Sequence, residues 1–428
     1  MSEWKETTLG ELISVKHGWA FKSEFFDDTS YKKNNIVVAI GNFNYEGGFR
    51  FDSTKTKQYF GDYPKDYELD PGDILLAMTC QTAGGEILGI PGKIPNDGNL
   101  YLHNQRLGKV EIKNKDLLDP SFIYWLFIWK PFNYHLTVTA TGTKILHTSP
   151  SRIEEFTFKC PPIKTQKEIG KILDCLDNKI DNLRRQNETL EKIAQTLFKH
   201  WFIDFEFPND EGKPYKSSGG AMVASELGDI PEGWGVGKMQ NIIEVRDGTH
   251  DSPKQSDKGF KLITSKHLKK EGIDFDSAYL ISENDYVEIN KRSKVETFDI
   301  LLSMIGTVGL LYFVQEKVIN FGIKNIGLFK TSQNLNYSEY IYLFIKSNYG
   351  ETYLKTRLAG TTQSYVTLGA LRDMPLIVPS SRILSQFKQI AKSIFDKDYF
   401  NQQQVQTLTK TRDTLLPKLM SGQIRVKD

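Results

Sequence analysis

The sequence predicts an α+β protein in which two homologous mixed α/β domains are separated by two long antiparallel coiled-coil helices. Its 428 residues are too many for one ordinary domain. The second half repeats the first at an offset of about 220 residues, far longer than the period of a solenoid repeat. Each copy ends in a long run of heptad-spaced apolar residues, which indicates a helix that packs against a partner helix.

The duplication is visible as short segments that recur in the same order in both halves. Residues 4–18 match 234–248, 72–78 match 298–304, 123–127 match 341–345, 142–143 match 360–361, and 160–161 match 378–379. Several matches in one order are hard to reach by chance, so we interpret the halves as copies of one domain followed by one helix. Preservation of a stable fold explains the apolar matches but not why two copies stay joined by such a long helix.

Within each copy, short β-type segments come first and helical segments follow. In the first copy the predicted strands are 35–40, 74–78 and 107–112, the predicted helix is 121–130, and the Thr-, Gly- and Ser-rich loop after it is 137–149. Pro161 and Pro162 should end the globular part, because neither fits inside a helix.

The longest predicted helix follows these prolines and contains no proline between 165 and 202. Its apolar positions alternate spacings of four and three: Ile169, Leu173, Leu176, Ile180, Leu183, Leu190, Ala194, Leu197 and Trp201. Asn187 occupies the one polar position of this seam. A less regular seam is predicted near the C-terminus, at Phe387, Ile390, Ile394, Asn401, Val405, Leu408, Leu415 and Leu419. We expect the two helices to run antiparallel, with Asn187 and Asn401 helping to set their register.

These patterns divide the chain into five segments. Residues 1–163 form the first domain, 164–204 the central long helix, 205–229 a linker, 230–382 the second domain, and 383–428 the C-terminal long helix. The linker is predicted from its content of Pro, Gly, Ser and Lys.

The composition is typical of a cytoplasmic protein without a membrane segment. The longest apolar run, 122–129, is far shorter than the roughly 20 residues of a membrane span. The polar N-terminus lacks the features of a secretory signal. Three scattered cysteines suggest neither a zinc site nor a disulfide framework. The formal net charge of +2 is small for a DNA-binding protein, so a DNA-binding surface must be local or shared with a basic partner.

The sequence lacks the common catalytic and cofactor motifs. Neither the phosphate-binding loop, the zinc-protease helix nor the hydrolase elbow is present. The motif pair of adenine methyltransferases is also missing. Asp97 followed by Glu111 and Lys113 imitates a nuclease metal site, but the second copy has nothing comparable and 110–112 fits an edge strand better. We therefore expect no catalytic residue, no metal ligand and no cofactor bound by this chain.

The remaining candidates are basic, amide and hydroxyl side chains in loops at corresponding places of the two copies. Arg and Lys suit guanine edges, Asn and Gln suit adenine edges, and Ser and Thr suit phosphates. In the first copy the candidates for DNA contact are Lys16, His17, Trp19, Lys22, Gln105, Arg106, Thr143 and Lys144. In the second they are Arg246, Thr249, His250, Lys254, Lys324, Asn325, Thr362, Gln363 and Ser364. Taken singly, each of these residues is more typical of a solvated loop side chain than of a DNA contact. The stronger argument is their position: the framework repeats while the side chains at the loop tips differ, as expected when one fold reads two targets.

In order and spacing, several segments resemble the specificity (S) subunit of Type I restriction–modification enzymes. They are Trp4 with 9–11, then 72–76, 161–163, 197–205, 227–234, 247–254 and 415–422. Thr165-Gln166 and Ser385-Gln386 stand where the family usually has Glu-Gln at the start of each long helix. The resemblance covers essentially the whole chain. It implies two target-recognition domains in pseudo-twofold arrangement, each reading one half of a split DNA site.

The resemblance also implies partners. Two adenine-methylating M subunits would bind the long helices, and R subunits would join them for ATP-dependent cleavage. These partners would use S-adenosylmethionine, ATP and Mg, whereas this chain would be a non-catalytic subunit that binds double-stranded DNA. Two alternatives stay open at this point: a two-domain scaffold or protein-binding module with a coiled-coil spacer, and an autonomous nuclease.

Overall fold

The computed structural model describes residues 4–27, 35–45, 47–51, 58–270, 272–360 and 363–426. The chain divides into two compact units, the first made of Met1–Asp181 with Gln406–Asp428 and the second of Asn182–Val405. Each unit therefore contains one of the repeated domains together with part of both long helices. No helix in the described part of the chain is long and apolar enough to cross a lipid bilayer.

The first unit is a mixed domain of short strands and helices. Its strands are β1 Lys5–Thr8, β2 Ile13–His17, β3 Phe26–Asp27, β4 Asn35–Val37, β5 Gln58–Tyr59, β6 Glu68–Leu69, β7 Ile74–Ala77, β8 Thr79–Cys80, β9 Pro91–Lys93, β10 Leu100–Leu102, β11 Leu107–Ile112, β12 Leu146–His147 and β13 Thr157–Cys160. Its helices are α1 Leu9–Leu12, α2 Pro120–Ile128, α3 Lys130–Thr139, α4 Pro150–Glu154 and the first part of α5 Ile163–Phe202.

The central sheet of the first unit is antiparallel and has the order β2-β11-β7-β9. All four residues of β7 are buried, as expected for a strand covered on both faces. The aromatic helix α2 packs into the same core. It begins where the Asp119 side chain accepts from the backbone N–H groups of Ser121 and Phe122, both at 3.0 Å, with Pro120 in the first turn. In a second sheet, β4 and β10 are parallel neighbours.

The second unit contains the remaining elements. Its strands are β14 Met222–Ser225, β15 Gly228–Pro231, β16 Gly235–Lys238, β17 Val245–Asp247, β18 Phe260–Thr264, β19 Leu268–Lys269, β20 Gly272–Ile273, β21 Leu280–Ile281, β22 Ile300–Ser303, β23 Leu311–Phe313, β24 Phe321–Lys324, β25 Ile326–Phe329 and β26 Pro375–Val378. Its helices are α6 Glu283–Ser293, α7 Ser338–Lys346, α8 Asn348–Thr356, α9 Leu368–Arg372, the end of α5 and the start of α10 Ser381–Met420.

The strand order of the second unit repeats that of the first. Its central sheet has the order β17-β25-β22-β23, and β18 and β24 are parallel neighbours like β4 and β10. Val378 faces Gly235 across β26 and β16, just as Cys160 faces Lys5 across β13 and β1. The duplication predicted from the sequence is therefore confirmed in the topology.

Each long helix is a single α-helix of 40 residues. In the second unit the two helices run antiparallel. Asn401 Nδ2 donates to Asn187 Oδ1 at 2.8 Å, and Phe202 near the end of α5 contacts Phe387 near the start of α10. In the first unit, Arg412 of α10 pairs with Asp177 of α5 at 2.6 Å. The asparagine contact predicted from the heptad pattern is thus present.

The predicted seam of α5 is buried at most of its apolar positions, whereas the predicted seam of α10 is partly wrong. Ile390 is 45% exposed. Ala391 and Phe395 are buried in its place, because the apolar stripe of an α-helix drifts relative to a strict heptad.

Residues 205–229, which we expected to be a linker, are instead a folded part of the second unit. Phe205 and Phe207 are buried, and the ring of Phe207 stacks on Trp234 at 4.8 Å. Strands β14 and β15 of this region pair with each other. The prediction fails because burial of these aromatic side chains removes apolar surface from water, which offsets the conformational entropy lost when the Gly and Ser residues around them become ordered.

Candidate nucleic-acid interface

The candidate loops of the first unit come together at one end of its central sheet. Strands β2 and β7 end there and β11 begins there, because neighbouring strands are antiparallel. Residues 17–19, 79–81 and 104–106 are therefore neighbours. A hairpin, 141–147, joins them, since β12 pairs with β8 and Thr141 bridges His147. We call this region the loop end of the first unit.

At this loop end two backbone segments cross at Gly18. The backbone N–H of Trp19 donates to His103 O at 2.8 Å, and that of Gln105 donates to Trp19 O at 2.9 Å. A Cβ on Gly18 would lie 2.1 Å from the carbonyl oxygen of Asn104. Only glycine permits so close an approach of two backbones. We call this contact the glycine crossing.

The second unit has the same crossing at Gly248. The backbone N–H of Thr249 donates to Ile323 O at 3.1 Å, and that of Asn325 donates to Thr249 O at 3.2 Å. A Cβ on Gly248 would lie 2.6 Å from Ile323 O. The two units thus hold their loop ends with one backbone arrangement, although the side chains around it differ.

The hairpin of the loop end is repeated as well. In the second unit Ala359 bridges Tyr365, which also bridges Ile305. Gly360 has φ +91° and Gly142 of the first hairpin has φ +102°, a backbone conformation that favours glycine. This repetition explains why the glycine-threonine pairs of the two copies match in sequence.

Trp19 and Lys16 are held by one neighbour, Tyr67. The rings of Trp19 and Tyr67 are 5.4 Å apart, and Lys16 Nζ lies 4.8 Å from the centre of the Tyr67 ring. Lys16 Nζ also donates to Asp66 O at 2.8 Å. Trp19 remains 38% exposed. The first loop end therefore presents an oriented ammonium group and part of an indole ring.

The other candidates of the first unit extend into solvent. They are His17, Lys22, Gln105, Arg106, Thr143 and Lys144, all exposed. Apart from a 3.4 Å contact between His17 Nδ1 and Gly18 O, these side chains make no hydrogen bond or ion pair with the described part of the chain. Solvated basic and amide groups of this kind can meet phosphates or base edges without breaking an internal contact.

Arg246, in contrast, is engaged within the second unit. Its guanidinium binds both carboxylate oxygens of Glu244, at 2.7 and 2.8 Å, and donates to Arg292 O at 3.0 Å. The hydrogen bond from Arg246 lowers the pKa of Glu244. Arg246 retains N–H groups for a further contact, but its charge is already balanced.

The remaining candidates of the second unit differ in exposure. Thr249 is only 8% exposed, and its hydroxyl accepts from Asp251 N at 3.1 Å, so it belongs to the turn rather than to the open surface. Lys324 donates to Ser252 Oγ. His250, Lys254, Gln363 and Ser364 are exposed, Asn325 is half-buried, and Thr362 lies outside the described residues.

The structure adds a loop-end segment that the sequence did not suggest. Gln81 follows β8 and is exposed, and His147 of the hairpin lies 3.1 Å from Thr79 Oγ1 through its Nδ1. In the second unit the corresponding place is 305–309, where Gly306 N donates to Ser364 O at 3.0 Å. The sequence could have indicated these two segments by their position, because each directly follows one of the matched segments 72–78 and 298–304.

A neutral histidine lies beneath the first glycine crossing. His103 is 1% exposed, and its Nε2 lies 2.9 Å from Leu107 O. Burial lowers the pKa of His103 to about 4, because the charged form is poorly solvated there. The positive charge of this loop end therefore comes from its exposed side chains.

Asp97, the first residue of the pattern that imitates a nuclease metal site, has a structural role. Both oxygens of Asp97 accept hydrogen bonds, one from Tyr101 Oη at 2.8 Å and one from Asn99 N at 3.1 Å. Among the residues described, no three His, Cys, Asp or Glu side chains are grouped so that they could hold a metal ion.

One framework with two diverged sets of basic and amide loops defines a two-site recognition protein of the kind that reads DNA sequence. The family model for the Type I restriction modification DNA specificity domain matches residues 1–192 and 231–413. The chain therefore belongs to this family.

Two specificity subunits are similar to nearly the whole chain. The Type I restriction enzyme MjaIX specificity subunit of Methanocaldococcus jannaschii is 28% identical over 451 residues, which cover 97% of this chain and 100% of that protein. The HindI specificity subunit of Haemophilus influenzae is 24% identical over 483 residues, covering 99% and 100%. A crystal structure of the S subunit from M. genitalium has the same fold, with a TM-score of 0.60 at 14% identity over 97% of this chain and 96% of that one.

Proposed function

We propose that this chain is the non-catalytic DNA-reading subunit of a Type I restriction–modification complex in the cytoplasm, and that each unit reads one half of a bipartite site. The observation that carries the proposal is the glycine crossing, which recurs in both units with different side chains around it. The same backbone arrangement holds the loops of both units in equivalent places. The side-chain hydrogen-bond donors and acceptors differ between the units, so each unit can pair with a different set of base edges.

The candidate side chains of the two units divide into two roles. Arg106, Gln105 and Gln363 have the groups that form paired hydrogen bonds with bases, and Lys22, Lys144 and Lys254 are suited to phosphates. Thr143, Ser364 and Thr362 would add hydroxyl contacts to the backbone of the DNA. The small net charge of +2 is consistent with a complex in which partners supply part of the affinity for phosphates.

The catalytic steps would belong to partner subunits. Two M subunits would bind the long helices and methylate adenine with S-adenosylmethionine, and R subunits would use ATP and Mg to cleave unmodified DNA. The names of the relatives support this division, since they describe specificity subunits of Type I restriction enzymes. The sequence supports it through the missing methyltransferase and ATPase motifs.

Co-expression with an M subunit tests the proposal. We expect the complex to bind duplex DNA and to methylate adenines in one bipartite sequence, and we expect the chain alone to transfer no methyl group. Retained M-subunit binding without any sequence preference would support a scaffold instead. Metal-dependent cleavage by the chain alone would support a nuclease.

A further inference from the structure

Asn325 lies at the glycine crossing of the second unit, where both of its backbone groups are hydrogen-bonded. It lies between β24 and β25 with φ +52°, a conformation that Asn tolerates better than most residues. Its backbone N–H donates to Thr249 O at 3.2 Å, and its carbonyl accepts from Ser265 Oγ at 2.8 Å. These two hydrogen bonds fix the backbone of Asn325 and therefore the position from which its side chain extends.

A chain of polar contacts then reaches this amide from the interior of the unit. Asp247 is 4% exposed and is bound through Oδ1 by Arg292 of α6. Its Oδ2 lies 3.0 Å from His250 Nε2, and His250 Nδ1 lies 2.9 Å from the Oδ1 position of Asn325. His250 itself is exposed, and its two ring nitrogens are held by Asp247 and Asn325.

The contact with His250 occupies one side of the Asn325 amide and leaves an edge of it for another partner. A carboxylate only accepts, so Nε2 of His250 donates to Asp247. Nδ1 of the same ring contacts one end of the Asn325 amide, and either end can stand there because an amide rotated by 180° keeps its outline. In both orientations one N–H of Nδ2 and one lone pair of Oδ1 remain for another partner. One donor beside one acceptor matches N7 and N6 of adenine in the major groove.

We propose that Asn325 reads an adenine in the half-site of the second unit, and that His250 is the positioning residue that turns the amide edge toward the base. The proposal rests on the proposed function and names one specificity-determining contact within it. Asp247 and Arg292 fix the imidazole in turn.

The first unit contains an amide at the equivalent place, and among the residues described there no series of polar contacts positions its side chain. Gln105 N donates to Trp19 O, as Asn325 N does to Thr249 O. Ala20 stands in the place of His250 and His17 in that of Asp247. Gln105 is therefore a matched control: an amide at the same crossing without a histidine to direct it.

The experiment uses the chain in complex with its methyltransferase partner. The ligand is unmethylated duplex DNA that carries the sequence which this complex methylates. Each adenine of the second half-site is replaced in turn by 7-deazaadenine, which lacks the N7 acceptor. We expect one adenine at which this replacement weakens binding by about tenfold. Asn325→Ala should remove that sensitivity at the same adenine and nowhere else. Gln105→Ala should leave the effect of 7-deazaadenine at that adenine unchanged, because Gln105 belongs to the first unit.

The His250 variants separate positioning from support of the fold. His250→Ala should reduce the 7-deazaadenine effect, whereas His250→Gln should restore much of it, because a Gln amide can donate to Asp247 and accept from Asn325. A lower unfolding temperature for His250→Ala with full discrimination would overturn the role of His250.

Other outcomes overturn the reading of adenine itself. These are the absence of any sensitive adenine in the second half-site, or an undiminished effect in Asn325→Ala. In both cases the two units would still recognise a bipartite site, so the proposed function would stand. A complex without any sequence preference would contradict the proposed function as well.

Discussion

The carbonyl oxygen of Asn104 occupies the space where a side chain on Gly18 would lie, 2.1 Å from the position of a Cβ. The carbonyl oxygen of His103 lies 2.8 Å from the same Cβ position, and in the second unit its counterpart, Ile323 O, lies 2.6 Å from the Cβ position of Gly248. The loop ends of both units therefore depend on a close approach of two backbone segments that are far apart in sequence.

Gly248→Ala should damage recognition of the second half-site. Its added methyl group has to displace backbone atoms, which costs about 1–3 kcal/mol or more in a packed region. We expect weaker binding to DNA that carries the second half-site, measured with the complex by titration. Gly235→Ala is the control in the same unit, because a Cβ there meets no atom of the described residues within 4 Å. Equal binding by both variants would contradict the role of the crossing.

Arg106→Ala, Lys144→Ala and Gln81→Ala should weaken binding through the first half-site. A lost base contact should cost about 1–3 kcal/mol and relax one position of the recognised sequence. A lost phosphate contact should weaken all sequences alike and reduce the salt dependence of binding. Lys115→Ala provides a control, since this exposed residue follows β11 at the opposite end of the sheet. Unchanged affinity and salt slope in all three variants would show that the loop end is not the DNA surface.

Replacing both Asn187 and Asn401 by Leu should raise the free energy of unfolding but weaken the specification of helix register. Asn401 is fully buried and donates to Asn187 at 2.8 Å. Asn401→Leu alone should destabilise by about 1–3 kcal/mol, because it leaves the Asn187 amide without this partner. Chemical denaturation measures both effects. A single variant as stable as the parent would show that the pair contributes nothing to the fold.

The stability of the second unit should fall as pH rises from about 4 to about 6, through Asp398. Burial raises the pKa of Asp398 from 3.8 to about 6, with Gln402 and Lys346 opposing the shift and Glu191 adding to it. A carboxyl group with a raised pKa holds its proton more tightly in the folded state. Its stabilising contribution is therefore complete below the unfolded pKa and is lost as pH rises through the folded one.

Asp398→Asn should remove this dependence. We expect the free energy of unfolding to increase by roughly 1–3 kcal/mol near neutral pH and to change little near pH 4. Asp396→Asn is the matched control, because Asp396 is exposed and pairs with Lys392 on the surface. Such a pair contributes about 0–1 kcal/mol. An equal gain from both substitutions at neutral pH would show that burial of Asp398 is not the cause.

The parts of the fold that depend on local periodicity were predictable from the sequence. The repeated segments and the heptad pattern gave the duplicated domain, both long helices and the contact between Asn187 and Asn401. The prediction of a linker was wrong because burial of Phe205 and Phe207 outweighs the flexibility of the Gly and Ser around them. Two aromatic residues in an otherwise polar segment were the signal that it packs.

The sequence allowed the individual loops of the site to be predicted, but not which of them meet in space. Gly18 and Asn104 meet through pairing of strands distant in sequence, which no local pattern shows, although the matched Gly248 pointed to a shared constraint. The pairing of Arg246 with Glu244 was foreseeable, since residues two apart along an extended chain share a face. Burial of Thr249 was not, because it depends on how the whole crossing packs.

Exchange of one recognition domain followed by mapping of methylated sites tests the central claim most directly. Residues 1–160 would be replaced by the matching part of another family member and the complex assembled with the same M subunit. If each unit reads its own half-site, the methylated sequence changes in one half, and the other half keeps its bases. A change in both halves, or in neither, would contradict independent reading by the two units.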